Sequence, residues 1–184
     1  LHWKKFPKSP SEEAFSSREF WMFIGSMTLL ISAAQITFST SIPVLNKFIG
    51  PEGLLPILVN PMAPPADAAK HFNSLQIPLA LVITTLLAIG PFLRWKETPN
   101  ALFNRILPSF IITIIISALC IWGLELYNPL YAALLVVSIF GVFSNADYWI
   151  RIVRGRWTTS GMALAHLGFS LVLIGALISN GKKE

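Results

Sequence analysis

From Thr158 to Asn180 the chain reads TTSGMALAHLGFSLVLIGALISN, more than twenty residues without a charge. At roughly 1.5 Å per residue, a helix of that length crosses the hydrocarbon core of a bilayer. Four more apolar runs precede it, at about 20–40, 77–93, 106–122 and 129–149. Hydrophobic residues make up 54% of the chain and charged ones 12%, about half the charged share of a soluble domain. The expected fold is therefore an all-α integral membrane protein of about five transmembrane helices, forming one membrane domain over 1–184. The net charge of +5 is not a nucleic-acid signature, because the cations flank apolar runs, the distribution that orients membrane helices.

Counting Lys and Arg in alternate connections sets the expected orientation. One side receives Lys4, Lys5, Lys8, Arg18, Arg94, Lys96, Arg105, Arg151, Arg154 and Arg156; the other receives Lys47, Lys70, Lys182 and Lys183. This predicts a cytoplasmic N-terminus and an external C-terminus. Residues 41–76 then form an extracytoplasmic connection, rich in prolines from Pro43 to Pro65 and too broken for one long helix. His71 falls in it and reads as a solvated loop histidine before it reads as a haem or metal contact. The lone Cys120 sits in an apolar run, reads as a small buried apolar residue, and excludes an internal disulfide or a multi-cysteine metal site. Ser16 or Ser17 is placed to cap the first helix. Asn145 and Asp147 are explained by a helix end near water. Leu1–Ser9 is basic and prolyl, unlike a signal-peptide core, and the chain begins without Met, so it reads as a piece of a longer multi-span protein.

The last run holds one imidazole, His166, about eight residues in from Thr158, or roughly 12 Å along the axis. That puts it in the cytoplasmic half of the membrane. A polar group without a partner in hydrocarbon costs roughly 2–7 kcal/mol, so such groups face the bundle interior and usually have a task. Gly161, Gly168 and Gly175 recur every seven residues and present a face that another backbone can approach. His166 lies on the opposite face, beside Met162, Ala163, Phe169 and Ser170 at helical spacing. Small and apolar neighbours leave room there for a flat, bulky, apolar group. The residues alone leave haem or metal ligation, a proton relay and a structural hydrogen bond all open. Nucleotide-driven or hydrolytic chemistry has no motif behind it.

Ordered strings narrow the choice. Ser17-Arg18-Glu19 opens the first run, and Phe72-Asn73 with Pro78 opens the second. Gly90-Pro91 and Arg94-Trp95 close the second run. Gly161-Met162 and Ala165-His166-Leu167-Gly168 lie in the fifth. In this order and at about these distances the set resembles the C-terminal portion of the CcmF haem lyases of cytochrome c maturation, which are related to CcsA. The resemblance implies a multi-pass protein of the bacterial inner membrane, or of the mitochondrial inner membrane if organellar. It implies that His166 is one axial ligand of an intramembrane haem b, with Ser170 a candidate to orient the ring and the second histidine outside these residues. Apocytochrome c, a haem chaperone and thiol-reducing or apocytochrome-chaperone subunits are the implied partners. The Trp-rich haem-handling motif of such proteins is not found among the six scattered tryptophans, so these residues are expected to hold one side of a haem but not to catalyse its covalent attachment alone. A transporter or proton-pathway component and a pure scaffold are the rival readings.

Overall fold

The computed structural model describes residues 15, 17–55, 57–94 and 101–180, without the side chains of 101–103 and 180. Five long helices follow one another: α1 (Arg18–Ile49), α2 (Ala68–Ile89), α3 (Ala101–Leu124), α4 (Pro129–Asp147) and α5 (Gly161–Asn180). There is no strand among the described residues. All five are long and apolar enough to cross a membrane. The cations at Lys4, Lys5, Lys8, Lys96, Lys182 and Lys183 lie outside the described residues.

Local chemistry sets the helix starts. Ser17 Oγ accepts from Phe20 N–H (3.2 Å) at the head of α1. Asp67 Oδ1 accepts from Lys70 N–H (2.9 Å) at the head of α2. Asn128 Oδ1 accepts from Leu130 N–H (3.0 Å) at the head of α4. Each cap satisfies donors that the first turn leaves without partners. Pro129 follows its cap at a position where no N–H is needed.

The helices depart from the expected spans mainly around the proline-rich connection. Helix α1 runs through Pro43 to Ile49, and α2 begins nine residues before Ile77, so the non-helical link is 50–67. Prolines inside membrane helices are tolerated where neighbours satisfy the freed groups, and here polar side chains tie α1 to α2. Gln76 Nε2 donates to Gln35 Oε1 (2.6 Å), and Ser32 Oγ donates to Gln76 Oε1. His71 is therefore helical and half-buried. Its Nε2 lies 3.2 Å from Ser39 Oγ and 3.4 Å from Gln35 Nε2. The solvated-loop reading of His71 is corrected: it belongs to an interhelical polar network.

Helix α4 is the centre, packing along α2, α3 and α5, whereas α1 leans on α2. In the most apolar window of α4, 44% of residues are buried, against 11% for α1. An apolar cluster of Ile77, Leu126, Leu134, Leu135, Ile139 and Leu177 fills one end of the bundle, with Cys120 packed at its edge. At the other end the contacts are small and polar. There helix α5 turns Ala163 and Ser170 inward (1% and 0% exposed). A Cβ at Gly141 of α4 would collide with Ser170 Oγ and come within 3.2 Å of Ser170 Cβ. The expected close-approach face was the glycine stripe. A Cβ at Gly161, Gly168 or Gly175 meets no atom within 4 Å among the described residues. The seven-residue spacing of small residues holds, but the face that packs is the one carrying Ala163 and Ser170.

Candidate functional site: a histidine-lined cleft between α1, α2 and α5

The end of α2 builds the site. Pro91 has no N–H, so the carbonyl four residues back, on Leu87, has no helical partner. Asn145 of α4 takes it, with Nδ2 3.2 Å from Leu87 O and 2.9 Å from Gly141 O. Ser144 Oγ donates to Ala88 O (2.9 Å) one residue on. Both side chains are fully buried. The reading of Asn145 as a solvated helix end is corrected, because it is a buried staple between α4 and α2. Asp147, the last residue of α4, pairs with Arg151 at 2.6 Å.

Above this staple, α1 and α5 both lean on the end of α2 and leave a cleft of about 380 Å³. Gly25 of α1 lies over Leu86, whose Cδ1 would be 3.3 Å from an added Cβ, so the missing side chain lets α1 come close. Leu29, Leu86, Leu87, Pro91 and Met162 give the cleft apolar walls, and His166 reaches it from α5. Since α5 begins at Gly161, the ring sits five residues in, roughly 8 Å along the axis, closer to the helix start than the apolar run suggests.

His166 Nδ1 is buried and has no hydrogen-bond partner among the described residues. The Leu87 carbonyl lies close enough to interact with the ring. Ser170 does not orient the imidazole in this structure: its hydroxyl donates to the His166 main-chain carbonyl (2.9 Å) and packs against Gly141. Its place is the α4–α5 contact. No group of three or more His, Cys, Asp or Glu side chains converges among the described residues. A lone imidazole suits a metal ion whose other positions are filled by a larger ligand. An apolar slot, an orphaned imidazole nitrogen and a nearby carbonyl acceptor fit such a group. Metal-bound histidines commonly donate their other N–H to a carbonyl.

Sequence reasoning missed Asn145, Leu87 and Arg18 as parts of this site. The Gly90-Pro91 pair was the one signal that could have pointed to Leu87, since a proline frees the carbonyl four residues back.

Fold and site together define a multi-pass α-helical membrane protein with a histidine facing an apolar cleft. The chain is similar to CcmF over nearly its whole length. It is 28% identical over 181 residues to the cytochrome c-type biogenesis protein CcmF of Escherichia coli, covering 94% of this chain and 26% of that protein. It is 24% identical over 184 residues to CcmF of Pseudomonas aeruginosa, covering the same shares. With CcmF of Pseudomonas fluorescens it shares 24% identity over 179 residues. The chain thus spans about a quarter of the length of these relatives. No family model and no solved structure matches it.

Proposed function

We propose that this chain is part of a CcmF-type haem lyase and holds an intramembrane haem b through His166. The observation that carries the reading is the His166 imidazole lining an apolar cleft, its buried Nδ1 without a hydrogen-bond partner among the described residues, in a chain similar to proteins named for cytochrome c-type biogenesis. His166 supplies one axial nitrogen, and the Leu87 carbonyl is the acceptor for the other. Met162, Leu86 and Leu87 give the ring apolar neighbours against which the flat face of a porphyrin would pack. The second axial histidine comes from outside these residues. The bound haem would supply electron transfer that keeps the substrate haem ferrous during attachment to apocytochrome c. A haem chaperone and thiol-reducing or apocytochrome-chaperone subunits are the further partners, and a bacterial inner membrane, with the N-terminus cytoplasmic, is the location.

The relay reading is weaker on the same geometry. The other histidine of the described residues, His71, is sixteen residues before Leu87 on α2, about 24 Å away along the axis. No ionisable residue lies between them on that helix. The test is the visible spectrum of the protein purified from its membrane in detergent. Low-spin b-type Soret and α bands are expected, and His166→Ala removes or weakens them. Bands unchanged in H166A would end the ligand assignment.

A further inference from the structure

The cleft has a second polar end that the histidine does not explain. Besides His166 and the indole of Trp21, the side chains with polar atoms lining it are Arg18 and Ser26. Ser26 Oγ already donates to Phe23 O (2.8 Å). Arg18 is exposed, and its side chain has no ion pair or hydrogen bond among the described residues. Its backbone is nonetheless pinned: Arg18 N–H donates to Arg94 O (3.0 Å), which fastens the start of α1 to the segment after α2. The cleft therefore sets a guanidinium with no side-chain partner among the described residues, at the head of α1, and the His166 imidazole of α5 against the same apolar walls. A ligand that satisfies both carries an anion on one edge and a Lewis-acidic centre within an apolar body.

We infer that Arg18 is the carboxylate partner of the haem bound at His166, taking a propionate at the mouth of the cleft. The inference rests on the haem reading above. The guanidinium fork matches a carboxylate with two parallel hydrogen bonds, and such charge-assisted pairs are stronger than neutral ones. A cation beside the propionate edge also stabilises the more negative, ferrous form of the group. A phospholipid phosphate shares the anionic chemistry, but it brings no Lewis-acidic centre to the His166 imidazole, and for that reason the propionate is the occupant proposed.

The experiment uses the purified protein with Arg18→Gln and Arg18→Lys, each tested by haem retention, redox titration of the α band and bound-lipid mass spectrometry. R18Q is expected to keep the low-spin band shape, with a lower midpoint potential and haem affinity reduced on the order of ten- to a hundred-fold. R18K should recover most of both. Reconstitution with haem dimethyl ester, which has no carboxylate to pair, should make wild type and R18Q alike. Equal potentials and retention in wild type and R18Q overturn the proposal, as does equal damage in R18Q and R18K. So does a difference between wild type and R18Q that persists with the diester. Loss of a co-purifying phospholipid in R18Q at unchanged potential assigns Arg18 to a lipid headgroup instead. Wild-type protein without haem bands removes the parent reading and this one with it, a result distinct from bands that ignore Arg18.

Discussion

Gly141 and Ser170 show how much a single atom decides in this bundle. Lipid tails are as apolar as leucine, so helices in a membrane are held by close packing and hydrogen bonds more than by apolar burial. Ser170 Oγ occupies the space that a Cβ on Gly141 would need. Gly141→Ala is therefore expected to cost about 1–3 kcal/mol through overpacking, read as a lower thermal midpoint in detergent. Ser170→Gly in the same background removes the colliding atoms and should recover most of the loss, a strongly non-additive pair. Additive losses would mean that the two residues do not share this contact. Asn145 makes a second residue-scale prediction. Its two hydrogen bonds tie α4 to the end of α2, and membrane hydrogen bonds average about 0.6 kcal/mol each. Asn145→Leu should thus cost roughly 1 kcal/mol and weaken haem retention by loosening the Leu87 carbonyl beside His166. Unchanged retention in N145L would detach the staple from the site.

Among the elements, α1 depends on its neighbour most. It leans on α2, and the bonds among Ser32, Gln35, Ser39, His71 and Gln76 join the two helices. Polar groups of this kind act as glue between membrane helices. Replacing Gln76 with Leu removes the side chain that bonds both Ser32 and Gln35. The expected outcome is faster proteolysis at 50–67, the link between α1 and α2, and a thermal midpoint lowered by a cost of about 1–2 kcal/mol. Cleavage rates equal to wild type would show that α1 is held by apolar contact alone. The same network explains why α2 begins at Ala68 although residues 68–76 are largely polar. The Asp67 cap starts the helix and α1 receives its polar face, both of which are invisible to a scan for apolar runs.

At the scale of the whole molecule, five helices long and apolar enough to span a membrane must alternate in direction across it. The cation count predicts that a reporter fused after Asn128 is external and one fused after Arg154 cytoplasmic, measured by alkaline phosphatase and fluorescent-protein fusions. The reverse pattern would place the cleft, and Arg18 with it, in the opposite leaflet.

Hydropathy alone determined that this is a helical membrane protein and roughly where its five crossings lie, because twenty uncharged residues have no other stable solution in a bilayer. The ordered strings pointed to CcmF, and His166 stood out because a lone imidazole in hydrocarbon demands a reason. What tertiary structure decided was the set of partners. Only packing could bring Arg18, Leu87 and His166, far apart in the chain, to one cleft, bury Asn145 at a helix end, and move His71 from a loop into a network. It also chose the Ala163–Ser170 face over the glycine face, since both have the same spacing and only the position of Gly141 on α4 distinguishes them. Spacing in a sequence determines which residues share a face; the shape of the neighbouring helix determines which face is used.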